Sequence, residues 1–112
     1  MAKHEFGILP AGQPKHGQRF DGYEPALYGC ISIDDELIEP LLQAFMAFPT
    51  YSHTVDIPSQ GLVYCGVTLI PPESLKQFSA ILDAQKNPGY STLLSLIACA
   101  REKKRYLIHY GL

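Results

Sequence analysis

The stretch of sequence that decides the fold covers residues 61–82 and reads GLVYCGVTLIPPESLKQFSAIL. Residues 62–70 predict a strand, because apolar side chains recur at every second position and successive side chains of a strand point to opposite faces. Both faces of this strand are largely apolar, which favours a central place in a sheet. Pro71 and Pro72 then predict the first turn of a helix, where a missing backbone donor costs little.

The sequence on either side predicts two further strands and two further helices. Residues 27–33 and 106–110 have the alternation of strands, and residues 34–48 and 91–100 carry apolar stripes at helical spacing. Pro40 lies inside the first of these helices, so it either kinks the helix or begins its main part after a preliminary turn.

Two segments lack a clear period. Residues 49–61 are predicted to be a long connection. Residues 1–25 are rich in proline and glycine and predict an extended N-terminal arm, anchored by Phe6, Ile8 and Leu9 as a short edge strand.

These elements predict a single α+β domain spanning residues 1–112. Their order is β-α-β-α-α-β after the extended N-terminal arm. We expect a two-layer sandwich in which three helices cover a mixed sheet of three to four strands, because amphipathic helices must bury their apolar stripes against another layer.

Composition and charge exclude several classes of protein. The chain is 46% hydrophobic and 18% charged, with a net charge of −2 and one basic cluster at residues 101–105, where cations suit the end of a helix. Nucleic-acid binders carry a larger basic surface, so we expect no nucleic-acid partner. No apolar run approaches the ~20 residues that span a bilayer, so no membrane partner is expected. An odd number of cysteines and no apolar signal segment predict free thiols and a cytoplasmic location.

Motifs typical of particular enzymes are missing. The sequence has no GxGxxG or GxxxxGK[ST] phosphate loop, no GxSxG nucleophile elbow and no HExxH zinc motif. It therefore predicts no cofactor-binding residues, and whether any cofactor is used is unknown from the sequence. Cys30 is the best candidate for a reactive thiol, because Cys65 and Cys99 are in phase with apolar core residues. A nucleophilic cysteine needs a neighbouring cation to lower its pKa, and the blander interpretation is a small buried residue.

Three residues could form a catalytic or metal site: His53, Asp56 and His109. Imidazole and carboxylate groups bind metal ions and transfer protons. His53 and Asp56 precede the central strand, whereas His109 lies in the last strand, so they meet only if these strands are antiparallel neighbours. A crossover on one face slightly favours parallel strands. The blander interpretation is that each side chain hydrogen-bonds locally, and His4 and Glu5 would join only if the arm folds back.

Tyrosines offer a second candidate surface. If Tyr28, Tyr64 and either Tyr106 or Tyr110 all point away from the helices, they form an aromatic sheet face suited to a protein partner or a small-molecule ligand. The alternative, which is equally open, is that their rings pack in a second layer beneath the N-terminal arm.

Four phrases carry a resemblance to other proteins: HEFG at 4–7, YEP at 23–25, CISIDD at 30–35 and GLVYCGVTLIPP at 61–72. In these phrases the chain resembles small bacterial proteins without an established activity. The resemblance covers most of the chain and implies no cofactor, substrate or catalytic residue.

We therefore expect a self-associating interaction protein, a homodimer built on a sheet face or edge that includes Tyr28 or Tyr64, because uncovered sheet surfaces need protection. The alternative is a small metal-dependent hydrolase or other enzyme that uses His53, Asp56 and His109.

Overall fold

The computed structural model describes residues 2–112 and shows six strands in one sheet, together with helices. The strands are β1 Lys3–Ile8, β2 Ile31–Asp34, β3 Pro49–Tyr51, β4 Pro58–Gln60, β5 Val67–Ile70 and β6 Leu107–Tyr110. The helices are α1 Asp35–Ile38, α2 Leu42–Phe45, α3 Pro72–Asp83 and α4 Ser91–Lys103, with 3-10 turns at Glu39–Leu41 and Pro88–Tyr90. The α+β class is confirmed.

The sheet has the order β2-β1-β6-β5-β3-β4, and every neighbouring pair of strands is antiparallel. The expectation of a mixed sheet with three to four strands is therefore wrong in strand count and in direction. Between β5 and β6 the chain runs through two helices, α3 and α4, which pack against each other. Two successive helices return the chain to the end of the sheet where β5 finished, so β6 starts there and runs antiparallel.

The N-terminal segment is not an arm on the surface of the domain. β1 lies inside the sheet, paired with β2 from Lys3 to Phe6 and with β6 from Glu5 to Ile8. The prediction that this segment forms an edge strand is therefore wrong, because β1 has a paired strand on each side. Gly7 allows this packing, since a Cβ there would lie 2.7 Å from the Sγ of Cys30.

The helices cover one face of the sheet and enclose the main core. Pro40 lies in the 3-10 turn between α1 and α2, so the first predicted helix is a preliminary turn followed by a second short helix. The ring of Phe78 on α3 is the centre of the core, with ring centroids 5.1–5.9 Å from those of Phe6, Phe45 and Phe48. Within residues 2–112 no helix is long and apolar enough to cross a bilayer.

The other face of the sheet is covered by the irregular segment that follows β1. A second apolar cluster joins Leu9 and Phe20 of this segment to Leu69 on β5 and to Ile108 and Tyr110 on β6. The predicted two-layer sandwich therefore has an additional cover of irregular chain, which holds an apolar sheet face away from water.

Residues 49–61 form the β3–β4 hairpin rather than the long connection expected. Both strands begin with proline, which is tolerated at the first residue of a strand. The predicted central strand is also shorter than expected. Residues 61–66, the 61–66 loop, precede β5 and pack over the end of the sheet, where the N–H of Leu112 donates to the carbonyl of Tyr64 at 2.9 Å.

Candidate functional site

Two histidines from opposite ends of the sequence meet on the helix-facing side of the sheet. His4 lies on β1 and His109 on β6, and neither residue has any exposed surface. The Nδ1 of His4 lies 2.8 Å from the Nε2 of His109, and the two rings stack with centroids 5.1 Å apart. Phe6 shares the same face of β1 as His4, because residues two apart in a strand point the same way. Its ring lies 4.8 Å from that of His109 and closes the apolar side of the pair.

The histidine pair reaches the surface through Asp35 and Tyr64. The Nε2 of His4 lies 2.8 Å from Asp35 Oδ1, and the hydroxyl of Tyr64 donates to Asp35 Oδ2 at 2.9 Å. Asp35 is the first residue of α1, where a negative charge is favoured by the helix dipole. The side chain of Asp35 is 22% exposed and Tyr64 is 40% exposed, so this end meets solvent.

At its inner end the pair meets Thr68 on β5, which stands opposite His109 in the sheet register. The Nδ1 of His109 lies 3.4 Å from the Oγ1 of Thr68, and this oxygen accepts a hydrogen bond from the N–H of Val63 at 3.0 Å. Asp35, His4, His109 and Thr68 thus form one continuous chain of hydrogen bonds, here named the histidine relay.

The direction of the relay follows from counting donors. An ionised carboxylate only accepts, so the Nε2 of His4 carries the proton that is donated to Asp35. A neutral imidazole has a single N–H, so the Nδ1 of His4 accepts from the Nε2–H of His109. The Nδ1 of His109 then accepts from the hydroxyl of Thr68. This network assigns the Nε2–H tautomer to both histidines and gives all four ring nitrogens a partner.

Burial and charge set the titration of the relay. Burial, with a smaller contribution from charge on His4, lowers the pKa of His109 to about 3. The hydrogen bond from His4 holds the pKa of Asp35 below its usual value, and the bond from Tyr64 acts in the same direction. The same carboxylate raises the pKa of the Tyr64 phenol, because it accepts that hydroxyl proton. A neutral His109 and an ionised Asp35 are thus the ordinary states of these two groups.

The relay has the connectivity of a carboxylate–imidazole–hydroxyl triad but not its accessibility. Thr68 has no exposed surface, so no substrate can reach its hydroxyl in this conformation. The relay can accept or release a proton through Asp35 and Tyr64, and it ties β1, β5, β6 and α1 together.

His53 and Asp56 lie elsewhere, around the β3–β4 hairpin. Asp56 accepts hydrogen bonds from His16 and from the N–H of Gly17, at 2.8 and 2.7 Å. These bonds, that from His16 first, lower the pKa of Asp56. The Nε2 of His53 lies 3.7 Å from Asp21 Oδ1.

The structure therefore separates two of the three candidate residues from the third. No hydrogen bond or ion pair within residues 2–112 joins His53 or Asp56 to His109. In the same part of the chain no three His, Cys, Asp or Glu side chains could together hold a metal ion. The strands β5 and β6 do run antiparallel, yet His109 meets His4 instead, because the N-terminal segment is folded into the sheet.

All three cysteines, Cys30, Cys65 and Cys99, are free. Burial first, and the charge of Glu5 second, raise the pKa of the Cys30 thiol to about 11. A thiol of this pKa is a poor nucleophile at neutral pH. Cys65, expected in the core, is exposed because it belongs to the 61–66 loop and not to a strand.

The tyrosines do not share one open face. Tyr28, Tyr106 and Tyr110 pack in or against the second apolar cluster, under the segment that follows β1. Tyr64 lies on the opposite side of the sheet, with its ring centroid 5.8 Å from that of His4. The alternative of a packed second layer therefore describes three of the four tyrosines.

A groove of about 310 Å³ runs beside β2, the edge strand next to β1. One wall is the whole of β2, and the other includes Leu37, Gly89, Thr92 and Leu93. Within residues 2–112 no other strand pairs with this edge of β2.

The backbone groups that β2 presents to this edge follow from the ladder. Two bonds fix the alternation: the N–H of Asp35 donates to Ala2, and the N–H of Leu9 donates to Tyr106. Adjacent residues of an antiparallel strand direct their backbone groups to opposite sides. Ile31 and Ile33 therefore bond to β1, whereas Ser32 directs its N–H and C=O outward.

The opposite edge of the sheet is less available. In β4 the outward positions are Pro58 and Gln60, because the N–H of Gly61 donates to Phe48 and fixes the alternation there. Pro58 has no N–H, and proline on an edge strand is a common protection against further pairing.

Sequence reasoning missed the roles of Asp35, Tyr64 and Thr68. One signal was present: in β1, His4 is in phase with Phe6 and Ile8, two and four residues further on, which marks it as a residue of the apolar face. A histidine in that position needs a buried partner. Nothing local to the sequence identifies His109 as that partner.

Comparison of the chain with protein-family models, with curated proteins and with solved structures gave no match. The function must therefore be argued from the geometry.

Proposed function

We propose that this protein is a non-enzymatic interaction protein that self-associates as a twofold dimer through the free edge of β2. The observation that carries the proposal is the difference between the two edges of the sheet. β2 offers the outward backbone groups of Ser32 beside an open groove, whereas β4 begins with Pro58. An unpaired edge of this kind favours pairing with another strand.

The sequence of β2 is suited to pairing with itself. A twofold axis at Ser32 joins its N–H and C=O reciprocally to those of Ser32 of the partner subunit. The same register places Ile31 of each subunit opposite Ile33 of the other, which gives two equivalent apolar pairs. Cross-strand apolar pairs of this kind stabilise antiparallel strands. No charged side chain of β2 meets its own copy in this register.

Charge near this edge is also balanced. Asp34, the one acidic residue of β2, lies 3.7 Å from the Nζ of Lys3 on the neighbouring strand. Its carbonyl is occupied as the cap of α1, so β2 offers its pairing groups mainly at Ser32. These features favour a short, symmetrical contact with a second copy of the chain.

The test is sedimentation of the purified protein at about 10–100 µM, the range in which a dimer of moderate affinity forms. We expect a mass of twice 12.4 kDa. Ser32→Pro removes an outward N–H that the ladder with β1 does not use, and it should give a monomer with an unchanged circular dichroism spectrum. Gln60→Pro makes the same change at an outward position of β4 and should remain dimeric.

A wild-type protein that sediments as a monomer throughout this range contradicts the proposal. Dimers that survive Ser32→Pro but dissociate in Gln60→Pro would assign the contact to the other edge and would also contradict it.

A further inference from the structure

In the histidine relay each neutral imidazole has one donor nitrogen and one acceptor nitrogen, so all donors along the chain of hydrogen bonds must point the same way. In the neutral state they run outward, from Thr68 through His109 and His4 to Asp35. Each ring nitrogen has one partner, and Thr68 serves both sides, as donor to His109 and as acceptor for the N–H of Val63. The relay has no spare acceptor that could take an extra proton without a rearrangement.

One added proton has a defined place in this geometry. If it enters at His4, that ring donates from both nitrogens, to Asp35 and to His109. The Nε2 of His109 must then accept, so the single N–H of this ring moves to Nδ1 and is donated to Thr68. Thr68 now receives two donors, and its own buried hydroxyl proton loses its acceptor. A second proton would place two adjacent cations in a fully buried site, which desolvation forbids.

We propose that the histidine relay is a switch worked by a single proton, in which proton uptake by the His4–His109 pair reverses its inner hydrogen bonds and loosens the 61–66 loop. The hydroxyl oxygen of Thr68 then accepts from two donors while its own proton no longer donates to His109, so the bond from the N–H of Val63 loses the cooperative strengthening that it has in the neutral state. That bond attaches the 61–66 loop, which carries the exposed residues Tyr64 and Cys65, to β5. The inference does not depend on the proposed dimer.

The ionisable groups around the His4–His109 pair favour the uptake of a single proton by the pair. Asp35 of α1 faces His4 directly, at 2.8 Å, and supplies the counter-charge. Tyr64 of the 61–66 loop is neutral and donates to the same carboxylate. Glu39, in the turn after α1, and Cys65 act only on Tyr64, further out. Thr68 on β5 and Phe6 on β1 carry no charge, and the Nζ of Lys3, the neighbour of His4 on β1, lies 3.7 Å from the carboxylate of Asp34.

The experiment is nitrogen-15 NMR of the imidazole rings of the whole chain, with amide exchange, between pH 8 and pH 4. At the upper pH we expect both rings as Nε2–H tautomers. As the pH falls, one proton should be taken up by the pair, His109 should become the Nδ1–H tautomer, and the protection factor of the Val63 amide should fall about fivefold, as for loss of one ordinary hydrogen bond.

Two variants distinguish the proposed switch from a general destabilisation of the fold at low pH. Thr68→Val keeps the shape of the side chain and removes the hydroxyl, so the protection of Val63 should be low and independent of pH. Tyr64→Phe removes only the outer bond to Asp35 and should keep the tautomer change. The proposal is overturned if His109 is the Nδ1–H tautomer at pH 8, if both rings titrate independently, or if Val63 in the wild-type protein keeps its protection.

Discussion

The burial of His109 predicts a loss of stability between pH 7 and pH 5. In the fold its pKa is about 3, against an ordinary value of 6.5 for histidine. Between these two values the unfolded chain binds a proton at this residue and the folded chain does not. A group with a lowered folded pKa stabilises the fold above the unfolded pKa, and this contribution is lost as the pH falls.

The size of the effect follows from the same two values. The free energy of unfolding changes by at most about 1.4 kcal/mol per pH unit for one proton. From pH 7 to pH 5 the unfolded histidine becomes almost fully protonated, so the fold should lose about 2 kcal/mol. The carboxylates of Asp21, Asp35 and Asp56 have lowered pKa values and stay ionised throughout this window.

The assay is urea unfolding at pH 7 and pH 5, with free energies taken from linear extrapolation. His109→Gln should make the free energy of unfolding less dependent on pH by about 2 kcal/mol over this range. His16→Gln is the matched control, because the side chain of His16 is 92% exposed, and it should behave as the wild-type protein does. A wild-type loss below about 0.5 kcal/mol, or an equal loss in His109→Gln, would refute the reasoning.

Two further predictions concern packing and reactivity. Gly111→Ala should destabilise the fold by about 1–3 kcal/mol in thermal or urea unfolding, because a Cβ there would lie 2.8 Å from the carbonyl carbon of Tyr64. Gly22→Ala, where a Cβ meets nothing closer than 3.9 Å, should change the stability little, and equal effects of the two would contradict this account. Cys65 should be alkylated by iodoacetamide well before Cys30, as followed by mass spectrometry of the native protein, because Cys30 is half-buried with a pKa of about 11. Faster labelling of Cys30 would show that the thiol is more accessible than its packing indicates.

Local patterns in the sequence determined the class of the fold and the type of most elements. The apolar stripe after Pro71 and Pro72 predicted α3, and the position of Pro40 predicted an interrupted first helix. The alternation of apolar residues at 62–70 and 106–110 predicted the strands β5 and β6. The first of these predicted strands extended too far toward the N-terminus, into the 61–66 loop. Such patterns are informative because the period of apolar residues reports which face of an element is buried, whatever covers it.

Only the tertiary structure decided which strands are neighbours and which polar groups meet. β1 is a strand because it is paired on both sides, with β2 and with β6, and no residue within it specifies those partners. His4 and His109 are 105 positions apart in the sequence and share a hydrogen bond of 2.8 Å. A sequence pattern fixes the direction in which a side chain points, but the partner of a buried histidine depends on the strand order and register of the whole sheet.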